Sequence, residues 1–282
     1  PIRVNSRFVP SWPRPLTRIA MTVQEWLNWR VIKNAEDAQR RELGLPKAKT
    51  PSPRRITERG SLEIQAYDEV CFPGLAADWA KYGDQRPFVG ALTMELPTDA
   101  DEEAASWIAA GAPPLFFGFG SLSVASPTET LEMISEVSAQ LGERALVCAG
   151  WSDFTANSPS EHVKVVRAVN YAAIFPACRA VVHHGGVGTT AIGLRAGVPQ
   201  LILSTDLDQT MWGARVKRLK VGTVRRLSSA TKETLTADLR TILAPQYVSR
   251  AGEVATRMTK SAECVASAAD HLEDFARLKR VG

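Results

Sequence analysis

The densest chemistry in the chain lies in Val181-Val182-His183-His184-Gly185-Gly186-Val187-Gly188-Thr189-Thr190. An apolar run passes into a glycine-rich turn, and the turn passes into a helical pattern. At a helix N-terminus several backbone N–H groups lack intrahelical partners, and the macrodipole presents partial positive charge. Glycines let backbone approach an anion closely, and Thr189 and Thr190 add hydroxyl donors. This is the composition of a diphosphate cradle. Taken alone, the same residues also make an ordinary tight strand-to-helix connection. No Lys follows the glycines as in a Walker loop, and the three-glycine spacing of a dinucleotide-binding turn is missing.

Two further turns add to this one. Gly118-Phe119-Gly120-Ser121 closes the apolar run that starts at Leu115, and Ser204-Thr205-Asp206-Leu207-Asp208-Gln209 closes another. A carboxylate beside a carboxamide can accept and donate hydrogen bonds to vicinal sugar hydroxyls. Three polar turns at strand ends of one sheet would converge on one crevice. Asp206-Leu207-Asp208 also spells the Asp-x-Asp of metal-dependent glycosyltransferases. Against a metal, the glycine turn and helix dipole already offset phosphate charge, and no further acidic or His cluster completes a ligand set. Single residues keep two readings: His183 as a packed side chain or a ligand, Trp151 and Trp212 as core or pocket aromatics. His162 and His271 carry no motif and read as surface residues.

The elements that must position these turns follow from periodicity. From about Ala105 onward, short apolar strands alternate with helices. Strands are expected at Leu115–Gly118, Ala145–Cys148, Val163–Val169, Ala180–His183 and Gln200–Leu203. A helix runs from Ser126, which caps it in a box with Glu129, past Leu131, Ile134, Val137 and Leu141 to Gly142. Further helices are expected near Ala172–Cys178, after Gly188, over Asp208–Leu219 and Lys232–Leu243, and over Ser249–Arg280 with a break near Ala262. This alternation predicts an α/β fold, a Rossmann-like doubly wound parallel sheet. Earlier in the chain, Thr22–Leu43 is a helix with Val23, Trp26, Leu27 and Val31 on one face. Ser61–Val70 is a strand, and the acidic stretch 95–106 is an irregular linker.

Bulk properties narrow the class. The 282 residues are 45% hydrophobic and 23% charged, as in ordinary globular proteins. No apolar run approaches the roughly 20 residues that span a bilayer, and no signal peptide leads the chain. Cys71, Cys148, Cys178 and Cys264 are scattered, which fits a reduced, cytoplasmic setting. Residues 1–60 carry 13 Lys and Arg against 5 Asp and Glu. That basic, Trp-bearing segment forms no nucleic-acid motif, so nucleic acid is not an expected partner. It suits contact with the inner membrane face.

The run Phe175 to Thr190 resembles the donor-site signature of GT-B fold UDP-glycosyltransferases. Its nearest likeness is to sterol glucosyltransferases, vancomycin-type antibiotic glycosyltransferases and mycobacterial glycolipid glycosyltransferases. The match continues through Gly193-Leu194-Arg195-Ala196-Gly197-Val198-Pro199 and Asp208-Gln209-Thr210-Met211-Trp212-Gly213-Ala214-Arg215. Gly118 to Ser121 and Gly150-Trp151 also fall where the family places them. The resemblance implies that His184, Gly186, Gly188, Thr189 and Thr190 hold the diphosphate, with Ser121 near it or near the acceptor-side cleft. It implies that Trp151 and the backbone of Val169 line the uracil pocket, and that Asp208 and Gln209 bind the sugar.

The implied reaction moves a hexose from a UDP-sugar to a hydroxyl of a lipid, sterol or glycopeptide-type acceptor, with inversion, without a metal and without a cofactor. Residues 1–104 would be the tail of the acceptor domain and a linker, and residues 105–282 the donor domain. Roughly 100–150 residues, about one domain, would then precede this chain, and no catalytic base is assigned within it. The alternative is a non-catalytic module that only binds nucleotide-sugar. One local departure stands out: Asn170-Tyr171-Ala172-Ala173 replaces the Pro-His-Asp-Trp of many sterol-type members, so Tyr171 would substitute in shape only.

Overall fold

A computed structural model describes residues 14–120, 126–150, 154 and 160–280. In chain order its helices are α1 (Arg14–Glu42), α2 (Ser52–Glu58), α3 (Leu75–Trp79), α4 (Asp101–Ala109), α5 (Pro127–Leu141), α6 (Tyr171–Ile174), α7 (Val187–Ala196), α8 (Leu207–Leu219), α9 (Lys232–Ile242), α10 (Pro245–Ala255) and α11 (Ser261–Arg280). The strands are β1 (Leu115–Gly118), β2 (Ala145–Cys148), β3 (Val163–Val166), β4 (Ala180–His183), β5 (Gln200–Ser204) and β6 (Gly222–Arg226). Two compact units result. One draws on Pro1–Ile64, Trp79–Pro87 and Leu272–Gly282 as far as these are described, the other on Gln65–Asp78 and Phe88–His271.

The larger unit is built on a parallel sheet of order β3-β2-β1-β4-β5-β6. The chain winds outward from β1 to β3, crosses back, and winds outward again from β4 to β6. Winding therefore reverses between β1 and β4, where Gly118 lies level with His183. The apolar runs are continuous because both sheet faces are covered. Leu115 and Phe117 of β1 pack with Leu131, Ile134 and Val137 of α5 and Leu235 and Leu239 of α9. Phe116, between them, faces the opposite layer with Ile108 of α4 and with Ile174 and Phe175. A third cluster joins Ile202 of β5 to Trp212 and Val216 of α8 and to Val254 of α10. Trp212 is thus a core residue, edge-on to Phe72 and Tyr67.

Several expectations are corrected. The stretch 95–106 is helical from Asp101, because three acidic side chains fill the first turn of α4 and Ala104 and Ile108 bury one face. Ser126 precedes α5 but makes no side-chain cap, so the capping box does not form, whereas Gly142 does end the helix in left-handed conformation. Ser61–Val70 is no strand. Among the described residues only Gln65 makes a bridge, to Phe88. The buried carboxylate of Asp68 instead accepts from the N–H of Ala91 and of Thr259, tying three segments together. Strand β3 stops at Val166, and the terminal helices part at residues 256–260 rather than near Ala262. Strand β6, rich in polar residues, was not foreseen.

In the smaller unit α1 buries Trp29, while Val23, Leu27 and Val31 are exposed. The indole N–H of Trp29 donates to Glu36 at 2.8 Å, and the Lys33 ammonium sits 5.1 Å from its ring. Arg86 lies on the faces of Tyr82 and Trp79 and pairs with Glu63.

Candidate functional site

The turn between β4 and α7 is fixed from beneath. His183 is fully buried. Its Nδ1 accepts the Gly185 N–H at 3.1 Å, and its Nε2 meets Gln200 Oε1 at 2.8 Å. Gln200 in turn donates to the carbonyl of Thr190 at 3.3 Å. These partners set the tautomer with the proton on Nε2. Burial pushes the His183 pKa down to about 4, so the ring is neutral near pH 7. His183 is therefore a packed support. Gly185 has φ +95°, and a Cβ there would fall 2.7 Å from Ile202 and 3.1 Å from the Gln209 carbonyl. Only glycine fits.

Above this support, Gly186 is the N-cap of α7 and no side chain caps the helix. The first intrahelical N–H bond found at this end is that of Thr190 to Gly186, at 2.9 Å, which leaves the donors of Val187, Gly188 and Thr189 facing outward. Among the described residues, a Cβ at Gly188 would meet nothing within 4 Å, so none of them covers this turn. Thr189 is half-buried. Thr190 is fully buried, and its hydroxyl donates back to the Gly186 carbonyl.

The half-buried ring of His184 lies between two glycine turns. A Cβ on Gly186 would come within 2.6 Å of Nε2, and one on Gly120 within 2.8 Å of Cε1. Gly120 itself has φ +60°, and a Cβ at Gly150, in the turn after β2, would strike the Gly120 carbonyl at 2.5 Å. The turns after β1, β2 and β4 are thus in mutual contact. Nδ1 of His184 is buried with no hydrogen-bond partner among the described residues. Burial lowers the pKa of His184, opposed by the negative charge of Asp206.

The turn after β5 completes the arrangement. Asp206 caps α8 by accepting the Gln209 N–H at 3.0 Å. Gln209 is buried, and its Oε1 accepts from both the N–H and the hydroxyl of Thr205 at 2.8 and 3.0 Å. No partner of its amide N–H groups is found among the described residues. Asp208 is exposed beside it. Among the described residues no group of three or more His, Cys, Asp and Glu side chains is gathered as a metal site.

Val169 is buried in the loop after β3, a strand separated from β4 by β2 and β1. That loop is held by α4: the Asn170 N–H donates to Asp101 at 2.7 Å, and the Thr98 hydroxyl to the Ala168 carbonyl at 3.1 Å. Tyr171 stacks on Phe175 at 4.9 Å and meets Phe116 edge-on, with its hydroxyl toward Cys148. Ser121 and Trp151 lie outside the described residues. The structure therefore brings His184, Gly186, Gly188, Thr189, Asp208 and Gln209 to adjacent strand ends. Thr190 is set behind them and Val169 to one side. Sequence reasoning missed Gln200, whose role depends on a contact across strands, and named Thr205 only within the polar turn, without its bonds to Gln209 four residues on. It weighed Asp206 only in an Asp-x-Asp, and a Ser-Thr-Asp run before an amphipathic helix was the available capping signal.

Comparison with known proteins bears on the family and the fold. Residues 131–274 match the family model described as erythromycin biosynthesis protein CIII-like, C-terminal domain. The chain is 62% identical over 282 residues to the uncharacterized glycosyltransferase Rv1524 of Mycobacterium tuberculosis, with 99% of this chain and 67% of that protein aligned. It is 30% identical over 273 residues to sterol 3-beta-glucosyltransferase UGT80B1 of Arabidopsis thaliana, covering 92% of this chain and 44% of the plant protein. The solved structure of the glycotransferase of kitacinnamycin superposes with a TM-score of 0.68 at 19% identity, covering 93% and 67% of the two chains. The calicheamicin glycosyltransferase CalG4 superposes with a TM-score of 0.64 at 19% identity, covering 87% and 59%.

Proposed function

We propose a donor-binding role for this chain, which belongs to the GT-B glycosyltransferases: it holds the nucleotide-sugar from which a hexose is transferred to an acceptor hydroxyl. One observation carries the reading. The uncapped N-terminus of α7 opens at the β1/β4 reversal, with His184 set between two glycine turns. In open α/β sheets, ligands bind outside the carboxyl ends of strands at such a reversal.

In this reading the free N–H groups of Val187, Gly188 and Thr189, with the Thr189 hydroxyl and His184, hold the diphosphate of a UDP-sugar. Thr190 serves by closing the first turn onto Gly186. Asp208 accepts from sugar hydroxyls and the Gln209 amide donates to them. Val169, with Ser121 and Trp151, completes the nucleotide side. Residues 1–104 belong to the acceptor side and linker, and residues 105–282 to the donor domain.

The acceptor oxygen attacks the sugar C1 as the C1–O bond to the diphosphate breaks, and the configuration at C1 inverts. The hydroxyl proton passes to a base that we do not assign. Donors aimed at the departing diphosphate stabilise the charge that develops there. These donors offset that charge without a metal ion. The acceptor class is a lipid, sterol or secondary-metabolite hydroxyl, supported by the likeness to a sterol glucosyltransferase. Among the described residues no helix is long and apolar enough to cross a membrane.

The test is calorimetric titration with UDP, with and without EDTA, beside the His184→Ala variant. Saturable binding that ignores EDTA and weakens roughly 10-fold or more in the variant, as for a lost charge-assisted bond, is the expected result. A folded chain that binds no UDP defeats the donor reading, and binding lost in EDTA defeats the metal-free one.

A further inference from the structure

The His184 ring occupies a slot that only glycines leave open, at Gly120 on one side and Gly186 on the other. Within it Nδ1 is buried and unpartnered among the described residues. An imidazolium in this slot is disfavoured by burial, yet a diphosphate arriving at the α7 N-terminus is best met by one. Something must stabilise the added proton.

Among the described residues, the titratable and charged groups acting on the ring are few. On its own turn stands His183, 6.3 Å away between ring centroids and held neutral. From the β5–α8 turn, which packs against this one where a Cβ on Gly185 would lie 3.1 Å from the Gln209 carbonyl, comes the exposed Asp206. The described part of the β1 turn, Gly118 to Gly120, carries no charge. The Asp206 carboxylate is not free to wander, because the Gln209 N–H holds its Oδ1 at 3.0 Å. We propose that Asp206 is the charge partner of His184 in donor binding, its carboxylate stabilising the proton that the imidazole takes up from solvent when a diphosphate enters the cradle. Asp206 is then a positioning residue that acts through His184. This inference rests on the donor reading of the site.

The bland alternative makes Asp206 a helix cap and nothing more. Asp206→Asn separates the two, because Asn caps a helix about as well as Asp but carries no charge. Two measurements decide. The first is UDP affinity from about pH 6 to pH 8, with proton uptake counted from calorimetry in buffers of different ionisation enthalpy. The second is the titration of the His184 imidazole in the ligand-free chain by NMR.

In the unmodified chain, UDP should bind with proton uptake and weaken on the order of 10-fold from pH 6 to pH 8. In Asp206→Asn the imidazole midpoint should fall, and UDP affinity near pH 7 should drop roughly five-fold with unchanged melting temperature. In a His184→Gln background the same substitution should leave affinity unchanged. UDP binding without proton uptake, or an imidazole midpoint unmoved by Asp206→Asn, overturns the inference. Absence of UDP binding by the folded chain overturns the donor reading instead, and the imidazole titration then decides the charge pair on its own.

Discussion

Helices α7 and α8 leave neighbouring strands of one sheet by similar turns, yet their N-termini are finished in opposite ways. At α8 the Asp206 carboxylate caps the helix and Gln209 reaches back to Thr205. The Gln209 N–H is thereby satisfied within the chain, as by the side-chain cap at most helix starts. At α7 the cap is Gly186, and among the described residues no side chain reaches the free N–H groups or fills the space over Gly188. The α8 turn draws its cap from its own residues, and in the proposed donor reading the α7 turn takes its acceptor from outside. The difference is maintained by buried polar groups. The open turn keeps its shape through His183 and Gln200, which bond the backbone from behind.

That support should be the first thing to fail in acid. The His183 pKa falls from an ordinary 6.5 to about 4 in the folded chain. A base with a depressed folded value contributes stability that is fully present above its unfolded pKa. That contribution is lost as pH falls from about 6.5 through 4, because the unfolded chain takes up the proton first. The loss amounts to about 3 kcal/mol. Urea unfolding at stepped pH should show it, and His183→Gln should flatten this part of the profile; an unchanged slope would mean the ring is not buried neutral.

A second test turns the open turn into a closed one. Gly188→Asp places a carboxylate where a Cβ meets nothing, on the first turn of α7. Helix propensity and the dipole both favour it, so the fold should gain about 1 kcal/mol. UDP affinity should fall by tens of fold, because the site then holds its own anion. A variant that is both more stable and fully able to bind would sink the reading of α7 as the diphosphate end.

The smallest effect concerns the far ends. Helix α7 ends at Gly197 with φ +69°, whereas α8 ends at Lys220 with φ +60°. A side chain in that conformation is strained, although a cation suits a helix C-terminus. Lys220→Gly should therefore stabilise the chain by only about 0.5 kcal/mol, visible as a small rise in melting temperature. A drop would mean that the Lys side chain holds the end of α8.

Much of this was legible in sequence, and the reason is local. Strand β4, its glycine turn and helix α7 are encoded within about sixteen consecutive residues, so one apolar run and four glycines reveal them. Most strands of the sheet were equally plain because both faces are buried and the apolar runs are unbroken. Strand β6 escaped because Thr223, Arg225 and Arg226 interrupt the apolar pattern, and its pairing with β5 and the Arg225–Asp238 ion pair are non-local. Ser61–Val70 misled for the opposite reason. Its composition suits a strand, but the chain offers it no continuous partner and recruits Asp68 to join distant loops. Periodicity also placed the wrong face of α1 inward, since Trp29, the buried residue, lay outside the expected stripe.

The Gln209 amide has a polarity, and polarity can be interrogated with synthetic sugars. Its oxygen is committed twice to Thr205, so a ligand hydroxyl at that position meets only donors. Exchange of that hydroxyl for fluorine keeps a weak acceptor and removes the proton. At the Gln209 position such an analogue retains its contact, whereas at the Asp208 position it faces a carboxylate with nothing to give. In the proposed donor reading, a set of deoxyfluoro donors would thus print the orientation of the sugar as a pattern of tolerated and rejected carbons.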